Sequence, residues 1–223
     1  MKFVLTIIIL ALVVFGIMSF LKNKKTADQN MTNEEALAGQ MPEEDMSGTY
    51  VFDTEASSAK WTGGKKIIKN YEDSGSIKIK SGTVVFDKGM ITGGEVVFDM
   101  TSITGEETSN TKVTVDKLSE HLKSEDFFEV ETYPEAKYEV TDSKKTDSGY
   151  TLNGNLTLKG KTAPLMIPVK VITENGNIAM AGTAEVNRAN WDVKYGSETF
   201  FSDLGDAIIN DIFTLDFNVI ARP

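Results

Sequence analysis

The sequence predicts an all-β domain of antiparallel strands, a sandwich or a barrel, behind an apolar N-terminal segment. From Thr49 onward, short apolar–polar alternations recur, and turns rich in Gly, Asn, Asp and Ser separate them. Such alternation is typical of strands with one buried face. Only one later segment, 115–123, has helical spacing of its apolar residues. About eight or more strands and one helix are therefore expected, an arrangement typical of antiparallel barrels and sandwiches.

The N-terminal segment predicts a single transmembrane or signal helix within residues 1–22. Residues 3–21, FVLTIIILALVVFGIMSFL, are 19 positions without a charge. At about 1.5 Å per residue they would span roughly 28 Å, close to the hydrocarbon thickness of a bilayer. A cleavable signal usually has only about 7–15 apolar residues, so an uncleaved anchor is favoured. The lysines that follow would by themselves favour a cytoplasmic location for the rest of the chain.

Residues 23–47 form the next predicted unit, a polar and acidic linker. The stretch NEEALAGQMPEEDMSG has no sustained apolar period, and this composition is typical of a tether. The linker leads into the predicted β domain, which occupies residues 48–223.

The strands of this domain are predicted from residues that alternate onto one face. In 94–103, Val96, Phe98 and Met100 share a face. In 165–173, Pro168 indicates an edge or a bulge, because proline has no amide hydrogen to donate. The predicted strands are 50–52, 59–61, 76–80, 83–87, 94–103, 136–141, 150–160, 165–173, 177–188 and 212–220.

One helix is predicted among these strands, over residues 115–123. Val115, Leu118 and Leu122 have helical spacing, and Asp116 is the expected N-cap. The segment SEDFFEVETYP that follows mixes acidic and aromatic residues and is expected to lead from the helix back to the strands.

A closed barrel of eight strands leaves an interior just large enough for side chains or one ligand. Gly182 and Ala184 are expected to point inward and to leave space there. An apolar interior of this kind would suit a long lipid tail, whose affinity comes from buried apolar area. A filled barrel core is the alternative that the residue pattern leaves open.

Composition argues against several other functions. The formal net charge is −10 and the only arginines are Arg188 and Arg222, which disfavours nucleic acid as a partner. The chain has no cysteine and one histidine, His121, so thiolate sites and histidine-rich metal sites are excluded. His121 could pair with a neighbouring carboxylate and serine as a hydrolase site, but a solvated helix histidine is favoured. No enzyme activity, cofactor or metal is predicted.

The domain resembles the YceI-like family, and four motifs carry the resemblance. They are DKLSEHLKSEDFFEVETYPEAKYEV (116–140), LNGNLTLKGKTAPLMIPVKV (152–171), VNRANWDVKYG (186–196) and LGDAIINDIFTLDFNVIA (204–221). The resemblance implies a lipocalin-like, extended eight-stranded antiparallel barrel with one short helix. It also implies an interior that binds a polyisoprenoid, a quinone-like molecule or a fatty acyl chain.

The resemblance further implies a bacterial envelope protein that sequesters or transports its ligand. The barrel is then expected in the periplasm, held by the N-terminal helix, or secreted if that helix is cleaved. This expectation conflicts with the lysines after the apolar segment, but long domains can translocate regardless of flanking charge. Relatives often carry a His before the glycine equivalent to Gly75, where this chain has Ser74, so a head-group role for that His does not carry over.

Eleven residues are predicted to bind the ligand, and core packing is the alternative for each. Arg188 would meet a polar head group, with an internal ion pair as its alternative. The other functional reading is an envelope stress or interaction protein with a filled core, and the sequence leaves a monomer and a homodimer both open. The predicted tail contacts are Phe98, Met100, Leu156, Met180, Phe213 and Phe217, and the residues expected near the mouth or helix are Trp61, Phe127, Phe128, Trp191 and Arg188.

Overall fold

A computed structural model describes residue 42, residues 46–174 and residues 176–223. In these ranges no helix has the length and apolar character needed to cross a membrane. The predicted anchor, 1–22, and most of the predicted linker lie outside the described residues. The elements are β1 (Gly48–Phe52), β2 (Ser58–Gly64), β3 (Glu72–Asp87), β4 (Met90–Thr108), α1 (Val115–Lys123), β5 (Glu135–Thr146), β6 (Gly149–Leu158), β7 (Lys161–Glu174), β8 (Asn177–Asn187) and β9 (Ile212–Arg222).

The nine strands make a closed antiparallel barrel with eight positions around its wall. From β3 to β9 each strand pairs with the next one along the chain. Both β1 and β2 pair with β3 on one side and β9 on the other, so they share one position as an interrupted strand. This closure pairs the first strand position with the last, so the sheet has no terminal strand. The predicted eight-stranded antiparallel barrel with one short helix is confirmed.

The interruption in the first strand is a turn over residues 53–57. The Asp53 carboxylate accepts hydrogen bonds from the amides of Glu55 and Ala56, both at 3.2 Å. The Ser57 hydroxyl donates to the Asp53 carbonyl at 2.7 Å and accepts from the Ile220 amide at 3.0 Å. The Ser57 side chain thus takes the place of a backbone acceptor for β9 at the interruption.

Several strand boundaries differ from the predicted ones. The segments 76–80 and 83–87 belong to one strand, β3, which continues through Gly82 with an irregular register near Ser81. The predicted strand 150–160 ends at Leu158, because Lys159 and Gly160 have positive φ and turn the chain into β7. Single sequences specify such boundaries poorly, since the turn depends on how the two strands pair.

Pro168 lies at an edge within the wall, as predicted. Residues 161–169 of β7 pair with β6, whereas pairing with β8 begins only at Val169, opposite Gly182. Pro168 therefore precedes the part of β7 that pairs with β8, where its missing amide hydrogen leaves no gap in the β7–β8 ladder.

The inward face of each strand is apolar. In β6, Tyr150, Leu152, Leu156 and Leu158 are buried at alternate positions. Gly182 also faces inward, but it does not leave the expected space. A Cβ built there would lie 2.8 Å from the Phe217 ring, so Phe217 already fills the volume beside it.

Helix α1 has the predicted bounds but a different N-cap. Thr114, and not Asp116, is the N-cap, and its hydroxyl accepts a hydrogen bond from the Lys117 amide at 3.3 Å. Asp116 lies in the first turn, where a carboxylate still interacts favourably with the free amides of the helix N-terminus. The helix packs on β4, where Gly105 approaches Leu118 so closely that an added Cβ would be 3.0 Å away.

Arg188 connects the long β8–β9 segment to the end of the barrel. Its side chain is 1% exposed, and its guanidinium donates to the carbonyls of Asn210, Val193 and Ile209 at 3.0, 2.7 and 3.2 Å. Its Nη2 also lies 3.3 Å from Oδ1 of Asp211. One buried side chain thereby holds both ends of residues 188–211.

We expect Arg188→Met to lower the free energy of unfolding by about 3–5 kcal/mol, because it leaves Asp211 and three carbonyls without their buried partner. The matched control is Arg222→Met, since Arg222 is the other arginine and is exposed in its ion pair with Asp53. An exposed pair contributes only about 0–1 kcal/mol. Urea unfolding of the full chain measures both effects, and equal losses would contradict this role for Arg188.

Candidate functional site

The barrel contains a cavity of about 1100 Å³ at the end nearest α1. Its inner wall is formed by apolar side chains of the strands, among them Ile77, Met100 and Ile103. Its outer part is lined by the β2–β3, β4–α1 and β8–β9 connections. Tyr195 and Phe201 line it there and are partly exposed, so the cavity reaches the surface at this end.

Four side chains form the inner end of this cavity. Phe98, Leu156, Val186 and Leu215 border the large cavity and also a second cavity of about 90 Å³ deeper in the barrel. They come from β4, β6, β8 and β9, so they project from different parts of the wall into one layer. This constriction layer separates an open upper compartment from a narrow, apolar lower one.

The α1 side of the cavity is an aromatic wall. The rings of Phe127 and Phe128 lie 5.0 Å apart, and Phe128 lies 6.4 Å from Phe213 on β9. Lys159, in the β6–β7 turn, donates to the Phe127 carbonyl at 2.9 Å and so fixes this segment. The acidic and aromatic SEDFF stretch therefore contributes its aromatic rings to the cavity.

Trp61 of β2 also lines this cavity. Its indole Nε1 donates to the Thr104 carbonyl at 3.0 Å, which requires the ring to cross β3. Gly75 permits this crossing, because a Cβ there would lie 2.8 Å from the indole nitrogen and 1.8 Å from the Thr104 oxygen. The indole is therefore fixed in place, with its polar atom satisfied by the protein.

Arg188 lies behind the aromatic wall, and its guanidinium carbon is 5.4 Å from the centroid of Phe127. Burial lowers the pKa of Arg188 from its ordinary value, and the charge of Asp211 opposes this change. Burial acts to raise the pKa of Asp211, but hydrogen bonds from Ser197 and Thr199 and the charge of Arg188 outweigh it, so the pKa is lowered. Both groups remain charged at neutral pH, and the internal ion pair described as the alternative for Arg188 is present.

His121 on α1 also borders the cavity. Its ring packs against Tyr195 and Phe127, with centroids 4.4 and 5.7 Å away. Its Nε2 is buried and has no hydrogen-bond partner among the described residues. Burial lowers the pKa of His121, and the carboxylate of Asp126 opposes this change.

The structure places ten of the eleven predicted site residues on a cavity wall. The exception is Trp191, which is fully buried and donates from Nε1 to the Leu156 carbonyl at 2.9 Å. Those on the large cavity are Trp61, Phe98, Met100, Phe127, Phe128, Leu156, Arg188 and Phe213, and those on the small one are Phe98, Leu156, Met180 and Phe217. Whether any of them contacts a ligand stays a prediction.

Sequence reasoning missed several wall residues. Val186 and Leu215 lie on predicted inward faces and could have been found from the same alternation that selected Met180 and Phe213. The helical spacing of Leu118 and Leu122 predicts only the helix, and the packing of α1 against the barrel brings them to the cavity. The missed apolar lining residues also include Ile77, Ile103, Val113, Ala136, Leu158 and Leu204.

Comparison with known proteins identifies the family. Residues 50–221 match the YceI-like domain model. UPF0312 proteins of Yersinia enterocolitica and Serratia proteamaculans are 38% and 39% identical over 87 residues, which is 39% of this chain. The matched segment spans 45% of the length of those relatives, so the chain covers about half of them.

Two solved structures have the same fold. BcnA of Burkholderia cenocepacia superposes with a TM-score of 0.60 at 19% identity, over 76% of this chain and 98% of that protein. A polyisoprenoid binding domain from Saccharophagus degradans has a TM-score of 0.55 at 17% identity, over 78% and 97% of the two chains. The family model covers most of the chain, and the barrel with its helix has the same fold as both solved structures. The chain therefore belongs to the YceI-like domain family.

Proposed function

We propose that this protein binds a long apolar molecule, such as a polyisoprenoid, a quinone-like molecule or a fatty acyl chain, inside the barrel. The observation that carries the proposal is the cavity of about 1100 Å³, whose inner wall is apolar and which reaches the surface at one end. Ligand pockets usually measure about 300–1,000 Å³ and are mainly apolar, so this cavity is large enough for one such molecule.

The chemistry of the wall favours an apolar ligand over a charged one. Arg188 already donates to three carbonyls and pairs with Asp211, and Trp61 donates to Thr104, so these groups need no ligand partner. Each 100 Å² of apolar ligand surface removed from water contributes about 2.5 kcal/mol before the costs of association. The structural neighbour described as a polyisoprenoid binding domain supports the same ligand class.

The proposed setting is the bacterial cell envelope. The uncharged segment 3–21 would hold the protein in a membrane, and the barrel would lie in the periplasm, where it sequesters or transports its ligand. Tethering raises the local concentration of the barrel near a membrane that dissolves apolar molecules.

Binding is proposed in place of catalysis. The His121 ring contacts Tyr195 and Phe127, and among the described residues no carboxylate or hydroxyl is hydrogen-bonded to it in the arrangement of a general base. The alternative function, an interaction barrel with a filled core, is disfavoured because the upper compartment is not filled by side chains.

We expect Ala136→Trp to remove most of the bound ligand. Ala136 is buried and lines the large cavity beside Phe98, so an indole there would occupy ligand space. The matched control is Met166→Trp, because Met166 is 63% exposed and lies on neither cavity wall. The measurement is native mass spectrometry of the full chain, with extraction and mass analysis of what copurifies.

The comparison between these variants separates cavity ligand from lipid carried by the N-terminal segment, which both variants retain. Thermal unfolding verifies that the Ala136→Trp chain is folded. Finding only ligand-free wild-type protein after incubation with lipid, or equal occupancy in both variants, would contradict the proposal.

Phe98→Leu should shift the bound molecules toward longer chains. Phe98 belongs to the constriction layer, and a smaller side chain there would join the two compartments. The measurement is the chain-length distribution of the ligand extracted from each variant. The matched control is Phe86→Leu, since Phe86 is buried in the barrel but borders neither cavity. An unchanged distribution in Phe98→Leu would mean that the layer does not limit the ligand.

His121 should make stability depend on pH in mildly acidic solution. Since its pKa is lowered in the folded chain, the unfolded chain binds a proton first as the pH falls below about 6.5. Neutral His121 should therefore make its full contribution to the free energy of unfolding above that pH, and this free energy should decrease below it. Urea midpoints at several pH values should show a smaller decrease in His121→Phe than in wild type, and parallel curves would rule out this role.

A further inference from the structure

The exposed apolar side chains of the barrel are concentrated at the end where the large cavity opens. Eight large apolar side chains are exposed among the described residues, and only Val51 and Met166 lie elsewhere. We call residues 65–71 and 194–212 the rim surface. Its exposed members are Ile67, Ile68, Tyr195, Phe200, Phe201 and Ile212.

The two segments of the rim surface are joined to each other. Lys65 and Ile209 form an isolated β-bridge, and the Asn210 amide donates to the Gly64 carbonyl at 2.8 Å. The Lys65 ammonium donates to the Asp206 carbonyl at 2.9 Å, and a salt bridge joins Lys66 to Glu198. The apolar side chains of both segments therefore belong to one surface.

This surface surrounds the entrance of the cavity. Lys65 and Tyr71 from one segment and Phe201 from the other line the outer part of the cavity. A molecule that enters from this end passes along the rim surface. An apolar ligand that entered through water would have to expose its whole surface, which is unfavourable in proportion to its apolar area.

The rim surface carries lysines that can meet phosphate groups. Its sequence KKIIK, 65–69, places two exposed isoleucines between lysines in a chain whose net charge is −10. Lys194 lies 5.2 Å from the ring centroid of Phe200 and adds a fourth ammonium. The rim surface also carries the four carboxylates of Glu198, Asp203, Asp206 and Asp211, of which Glu198 is paired with Lys66 and Asp211 with Arg188. Lysines beside exposed apolar side chains can extend to lipid phosphates while their stems stay in the apolar boundary.

We propose that the rim surface docks on the headgroup region of a bilayer that contains anionic lipid, so that the ligand passes from the bilayer into the cavity without crossing water. The purpose of docking, which is ligand transfer, rests on the proposed function. The docking itself depends only on the rim surface. Ile67, Ile68 and Phe200 insert, and Lys69 and Lys194 meet the phosphates. Lys66 exchanges its exposed and therefore weak pair with Glu198 for a phosphate.

The chain geometry permits this orientation. β1 begins at Gly48, at the opposite end of the barrel from the rim, because it pairs with β3 next to the β3–β4 turn. The 16 residues of β3 would span about 50 Å at roughly 3.3 Å per residue. The predicted linker, 23–47, can reach at most about 80–90 Å, so an anchored barrel can still turn its rim to the same membrane.

The test uses the full chain, which has no cysteine, reconstituted in vesicles of phosphatidylcholine with about one third phosphatidylglycerol. An environment-sensitive dye is attached to Ile67→Cys, because Ile67 is 57% exposed and does not line the cavity. The control is the same dye at Val51→Cys, which is 55% exposed at the opposite end. We expect a blue shift and protection from an aqueous quencher at position 67 but not at position 51.

Lys66→Gln combined with Lys69→Gln should weaken docking about 25-fold, at roughly five-fold for each lysine near an anionic surface. The dye at position 67 should respond less in vesicles of phosphatidylcholine alone.

Equal quenching at positions 67 and 51 while the protein still carries ligand would overturn the docking proposal and leave the proposed function intact. A wild-type protein that carries no ligand would instead count against the proposed function. Shielding of position 67 that needs no vesicle and rises with protein concentration would identify a second copy as the occupant and also overturn the proposal.

Discussion

The pairing of β9 with the interrupted first strand is the interaction on which the rest of the structure depends. β9 joins β8 on one side and both β1 and β2 on the other, so it converts an open sheet into a closed wall. Closure satisfies the backbone groups of what would be two sheet edges and fixes the number of strand positions at eight. The interior volume follows from that number, and so does the need to fill it with side chains or with a ligand.

The interior is divided between these two uses. Below the constriction layer, Phe217 fills the space beside Gly182, and little volume is left. Above it, the wall residues leave a large apolar cavity between the strands and α1. Helix α1 and the aromatic pair Phe127 and Phe128 cover one side of the cavity, which still reaches the surface at the rim.

Buried polar groups hold the open end in position without competing for a ligand. Arg188 satisfies three carbonyls and pairs with Asp211, and it thereby fixes the segment that carries Phe200 and Phe201. Removing one partner of such a buried pair is costly, because it leaves the other charge without compensation. The rim surface therefore presents its apolar side chains from a defined position.

The sequence alone determined the strands, the helix and the inward faces, because the alternation of Leu152, Leu156 and Leu158 and the spacing of Val115, Leu118 and Leu122 are local properties. It also predicted ten residues that lie on a cavity wall, since an inward apolar residue in a barrel must face the interior, but it missed much of the rest of the lining. Only the tertiary structure decided that Trp191 packs away from the cavity, that Thr114 caps the helix and that Phe217 fills the volume beside Gly182. These outcomes depend on contacts between segments far apart in the chain, and no local pattern encodes which of two inward side chains fills a given space.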